Sequence, residues 1–171
     1  GYKVRYVPTS LPDLLKTEQV IAYEYASSAA FRPGSRYAAT QEKLTYLRRP
    51  ETDMEVCSSR QSIEGFARGE GKWAELPRAA RREQLERMLG LVEELYPSLR
   101  WFLYDGRTSF SVPLNIFGPT RATLFVGRMY LVFNTLEHIR VFTAHFDGLI
   151  RAAVVEPTGL PDLLRALLAE L

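Results

Sequence analysis

Cysteine and histidine are nearly absent: one Cys and two His occur in 171 residues. A single thiol excludes an internal disulfide and a multi-cysteine metal site, and it fits a reducing compartment. No apolar run approaches the ~18 residues a membrane span needs; the longest, from Ala122 to Phe133, is interrupted by Gly127 and Arg128. The opening Gly-Tyr-Lys-Val-Arg-Tyr lacks the charged-then-apolar order of a signal peptide. Net charge is also small, +2 from 22 basic and 20 acidic residues. It is not concentrated either. Basic and acidic counts are 8 and 4 in residues 1–50, 8 and 10 in 51–100, and 6 and 6 in 101–171, so no segment carries the footprint that phosphate-backbone binding requires.

What is present is an ordinary globular balance, 46% hydrophobic and 25% charged, which excludes disordered and collagen-like chains. Aromatics are abundant, with nine Tyr, nine Phe and two Trp. The length suits one domain, residues 1–171, with a mainly helical part over 1–97 and a sheet plus C-terminal helices over 98–171. A start at Gly rather than Met suggests a piece of a longer protein or a tag remnant.

Helix grammar dominates the first part. Ser10 stands at an N-cap position before Leu11-Pro12-Asp13, and an apolar stripe runs to about Ala30, where Pro33-Gly34 ends it. Further helices are expected at about Tyr37 to Leu47, Met54 to Ala67 and Pro77 to Leu95. The last carries Leu85, Met88, Leu89, Val92 and Leu95 at helical spacing. Beyond Pro97 the period shortens. Leu99 to Tyr104, Phe110 to Phe117 (with Pro113 marking an edge or bulge), Arg121 to Val126 and Tyr130 to Phe133 read as four strands, an antiparallel meander. Helices from Leu136 to Ala153 and from Leu160 onward close the chain. The expected class is α+β: N-terminal helices, a four-stranded mostly antiparallel sheet, then C-terminal helices packed on it. Thr9 to Lys16 nearly repeats as Thr158 to Arg165, which reflects shared helix-start chemistry and not a duplicated fold.

No catalytic or metal-ligating constellation emerges. His138 and His145 are seven apart, about 10 Å along a helix, whereas paired helical ligands stand four apart. Cys57 has no local base and reads as a small apolar residue. Gly65, Gly69 and Gly71 follow a helix, so they are not a phosphate loop. Arg78, Arg81 and Arg82 stand with Glu75, Glu83, Glu86, Glu93 and Glu94, so the local charge is about neutral to negative and the arginines read as a solvated helix face. The aromatics are more informative, because eight of them fall within residues 101–133, interspersed with Arg121, Arg128, Thr123 and Asn115. Such a mixture suits a small-molecule pocket, with Trp101, Tyr104, Phe117, Arg121, Arg128 and Tyr130 as ligand-binding candidates.

Two stretches carry a resemblance. Ser10-Leu-Pro-Asp-Leu-Leu-Lys-Thr-Glu-Gln-Val-Ile-Ala-Tyr-Glu-Tyr25 resembles the opening of effector domains that follow a Cro/CI-type helix-turn-helix. Phe117 to Phe133, continuing through Glu137-His138-Ile139-Arg140 to His145-Phe146-Asp147-Gly148-Leu149-Ile150, looks like the strand-pair-plus-helix end of such domains. Together they cover under a third of the chain, and neither is catalytic. The resemblance implies a non-enzymatic, cytoplasmic effector domain of a bacterial transcription regulator. It would form a homodimer, answer to a small-molecule effector without a cofactor, and meet DNA only through an N-terminal domain outside this chain. Two alternatives stand beside it. One is a small enzyme using Arg121, Arg128, Asp105 and a histidine on an acidic substrate. The other is a pure dimerisation module whose interface is the Leu85/Met88/Leu89/Val92 face.

Overall fold

The computed structural model describes residues 3–26, 33–127 and 129–171. The chain opens on strand β1 (Val4–Val7), passes a 3-10 turn (Asp13–Leu15) and helices α1 (Glu18–Glu24) and α2 (Pro33–Leu47), and re-enters the sheet as β2 (Met54–Ser59). Helices α3 (Arg60–Ala67) and α4 (Arg78–Leu95) then lead to β3 (Leu99–Tyr104). A run of strands follows, β4 (Leu114–Phe117), β5 (Arg121–Val126) and β6 (Met129–Phe133). Helix α5 (Leu136–Arg151), the short β7 (Ala153–Val155) and α6 (Leu160–Ala169) complete the fold.

The class is α+β, but the sheet is not the expected four-stranded, mostly antiparallel one. It is a single mixed sheet of seven strands in the order β6-β5-β4-β1-β2-β3-β7. Strands β1, β2 and β3 are mutually parallel, and the remaining pairs are antiparallel. Three strands were illegible for different reasons. β1 is four residues long at the start of the chain. β7 is three residues long after a strong helix. β2 is buried on both faces, with Glu55, Val56, Cys57 and Ser58 all in the interior. A strand covered on both sides loses the alternation that marks a half-exposed one, so Met54 to Ala67 reads as one helix. In fact Ser59 ends the strand and caps α3, its hydroxyl accepting from the Ser62 N–H at 3.1 Å.

The first expected helix is also divided. Lys16 and Thr17 separate the 3-10 turn from α1, and Thr17, not Ser10, is the helix cap. Ser10 instead donates to Glu24 at 3.1 Å. Gln84 of α4, fully buried, bridges the break: its side-chain oxygen accepts from the Thr17 N–H and its NH2 donates to the Leu15 carbonyl, both at 2.8 Å. Pro113 precedes β4 and lies outside it, so the strand begins at Leu114, not Phe110.

Alternation along the strands separates two cores. One face, with Val56, Leu99, Trp101 and Leu103, packs against α1, α2, α3, α4 and α6. The other, with Val7, Cys57, Phe102, Leu114 and Ile116, packs against Ile139, Phe146 and Leu149 of α5. Leu85, Met88 and Val92 are buried in the first core and Leu89 packs on it, so that helix face is occupied within the chain and is not an interface.

Beside the first core lies a knot of charge. Lys16, almost wholly buried, bonds Asp13 at 2.7 Å and Glu24 at 2.6 Å; Arg36 bonds Asp13 and Lys72 bonds Glu24, each at 2.9 Å. Glu24, largely buried, and Asp13, partly so, are thus each shared by two cations, the pairing that burial of Lys16 demands.

Candidate interaction site

The ligand-binding candidates distribute over the sheet and do not converge on one cavity. Trp101 is buried in the first core, its indole N–H donating to Ser58 Oγ at 2.9 Å. Tyr104, three residues on, points to the opposite face and is buried in the second core. β3 lies three strand spacings, about 14 Å, from β4 and its Phe117. Phe117 and Arg121 do meet: they are register partners across β4 and β5, and the Arg121 guanidinium sits 4.6 Å from the centre of the Phe117 ring. Tyr130, on β6, pairs with Phe125 of β5 and is 61% exposed. Arg128 lies outside the described residues.

Phe117 also borders a cavity of about 320 Å³ between α2 and the strand ends, whose walls include Val4, Leu14, Tyr46, Leu47 and Met54. Its rim carries Lys43, Glu51 and Asp53, and Asp53 is bonded to Arg100 at 2.8 Å. The volume falls at the lower end of the small-ligand range, with apolar walls and a few polar groups.

The residues of the enzymatic alternative stay apart. Asp105 follows β3, its carboxyl held well below the usual carboxylate range by hydrogen bonds from Arg107 and Gln61. Arg121 opens β5, four strands away. His138 is exposed, with its Nδ1 2.7 Å from Thr135 Oγ1 and its ring edge-on to Phe133. His145 Nε2 lies 2.9 Å from Ser111 Oγ. Cys57, fully buried in β2 and not in a helix, has its thiol pushed up to about 12 by burial, with a smaller contribution from Glu55. Among the described residues no group of three or more His, Cys, Asp or Glu is placed to hold a metal, and no helix is long and apolar enough to cross a membrane.

The sheet edges differ sharply. β7 closes one side with three residues, a length that offers little to a partner strand. β6 closes the other with Met129-Tyr-Leu-Val-Phe133, which has no charge and no proline. Met129, Tyr130, Leu131 and Val132 are all exposed, so both faces of the strand as well as its edge are open. Val126 and Leu136 extend the apolar surface at either end. Phe133 is anchored, edge-on to Phe142 of α5. Isolated edge strands normally carry lysine, proline or a bulge against unwanted pairing, and β6 has none. Of this strand, only Tyr130 stands among the ligand-binding candidates. The uncharged five-residue run was readable, but its exposure follows from its place at the end of the sheet order.

No known family model matches the chain, and neither a curated protein nor a solved structure matches it.

Proposed function

We propose that this chain is a non-enzymatic dimerisation and ligand-sensing domain of a bacterial transcription regulator, with DNA contacted by a part of the protein outside this chain. The observation that carries the reading is the uncharged, doubly exposed edge strand β6. Its occupant is a second copy of the same strand. A twofold axis through Leu131 sets Tyr130 opposite Val132 and Met129 opposite Phe133, so the strand is complementary to itself and no like charges meet. The resemblance of residues 10–25 and 117–150 to Cro/CI-type effector domains supports the regulatory role. The apolar cavity beside Phe117 supports the sensing role.

Sedimentation equilibrium tests the dimer. The unmodified chain is expected to dimerise at micromolar to sub-millimolar concentration. Tyr130→Lys, at an exposed position that leaves the core intact, should weaken association at least tenfold. A chain monomeric at about 1 mM, or a dimer indifferent to this substitution, would sink the reading.

A further inference from the structure

Strand alternation places Lys3, Arg5 and Val7 on the face of β1 that looks towards α5. Two cations are therefore carried into the middle of a seven-stranded sheet, where a charge is tolerated only when paired. Lys3 is paired, with Glu55 at 2.7 Å. Arg5 is held only loosely: its side chain is largely buried, its Nε has no hydrogen-bond partner, and its ion pair with Asp147 is 4.0 Å long, beyond hydrogen-bond reach.

The space in front of Arg5 is a cleft of about 550 Å³ between α5 and the ends of β1 and β4. One face of α5 lines it, with Leu136, Ile139, Arg140, Ala144 and Asp147 at helical spacing. Arg140 is exposed and has no ion pair among the described residues. Once Lys3 is set against Glu55, two guanidinium groups face a single carboxylate across a floor whose one further polar side chain is Thr143.

We infer that this cleft binds a small organic carboxylate, its anionic head between Arg5 and Arg140 and its apolar body on Leu136, Ile139 and Pro119. Arginine is suited to the task because its fixed fork of N–H donors matches a carboxylate's two oxygens. The apolar floor distinguishes such a ligand from inorganic anions, which gain nothing from it. The site is separate from the cavity under α2 and meets the apolar surface beside β6 only at Leu136.

Calorimetric titration with benzoate at constant ionic strength, with benzamide and inorganic phosphate as comparison probes, provides the test. Benzoate is expected to bind saturably, and benzamide and phosphate at least tenfold more weakly. Arg140→Gln, at an exposed position, should lower benzoate affinity about tenfold, one charge-assisted hydrogen bond's worth. Asp147→Asn, which removes the competing carboxylate, should raise it, a gain that a purely structural Asp147 would not give. Circular dichroism confirms that both variants fold. No saturable benzoate binding at about 10 mM, equal binding of benzamide, or an unchanged affinity in Arg140→Gln would each overturn the assignment.

Discussion

Replacing Gln84 by Ala removes the side chain whose two hydrogen bonds join α4 to the break between the 3-10 turn and α1. Two backbone groups, the Thr17 N–H and the Leu15 carbonyl, lose partners at 2.8 Å in a region closed to water. Each stranded group costs about 1–3 kcal/mol, so the substitution should cost about 2–6 kcal/mol before any cavity left by the missing amide is counted. Domains of this kind are stable by only about 5–15 kcal/mol, which makes Gln84 a large fraction of the total. Urea denaturation can be followed by the fluorescence of Trp73 and Trp101, both buried. With a slope of roughly 2 kcal/mol per molar, the midpoint should fall by about 1–3 M. Glu86→Ala, on the exposed side of the same helix, serves as the control and should move it little. Gln84→Glu sharpens the test. A buried carboxyl is held above its ordinary value of about 4.3, and only its protonated form can donate to Leu15. Its extra instability should therefore grow as pH rises above about 4, the reverse of ordinary acid denaturation. A midpoint shift below about 0.3 M in Gln84→Ala, or a pH trend of the opposite sign in Gln84→Glu, would refute the reasoning.

The charge knot gives a second expectation. Lys16→Met leaves Asp13 and Glu24 with half their cations and should cost about 3–5 kcal/mol in the same urea assay. Burial by itself would raise both carboxyls, but Lys16, with Arg36 at Asp13 and Lys72 at Glu24, outweighs it and holds them below their ordinary values. Their contribution is therefore complete above about pH 5 and lost as pH falls through the lowered folded values. The urea midpoint of the unmodified chain should drop steeply below about pH 4, and that drop should be shallower in Lys16→Met. Third, Cys57 should resist a thiol reagent at pH 8 in the native state and react fully in denaturant, because its thiol is buried and raised to about 12. Rapid native labelling would contradict its placement in the second core.

Much of the second half was legible because its elements obey local rules. β3, β5, β6, α5 and α6 lie close to where the sequence pattern puts them: the helices carry one apolar stripe each, β5 and β6 are short runs beside turns, and β3, though buried on both faces, is aromatic-rich and closed by Asp105-Gly106. β1 and β2 were not: β1 is only four residues long, and β2, without alternation, runs straight into the helix that follows it. The near-repeat of Thr9 to Lys16 at Thr158 to Arg165 is instructive. The second copy opens α6 with Pro161 in its first turn, whereas the first makes only a three-residue 3-10 turn. There, tertiary bonds from Gln84 and the carboxylates around Lys16 decide the outcome, and no eight-residue window records them. For the candidate site, Phe117, Arg121 and Tyr130 belong to the β4–β5–β6 half, with Phe117 and Arg121 in contact. Trp101 and Tyr104 serve the two cores on a strand whose distance from β4 depends on β1 and β2 lying between. Aromatic content marked a region of the chain, but strand order decides which aromatics are neighbours.

β1 has a mechanical consequence. It forms one ladder with β2, over Val4 to Tyr6, and another with β4, over Val4 to Val7, and among the described residues no other strand joins the β2-β3-β7 side of the sheet to the β4-β5-β6 side. A pull on the chain at Lys3, directed along the strand, loads both ladders in shear at once and so meets the sheet at its midline. The same load at β6 or β7 would peel a single ladder bond by bond. Force-extension measurements pulling through β1 should thus show high resistance followed by abrupt, whole-sheet rupture, because losing those four residues separates the two sides in one event.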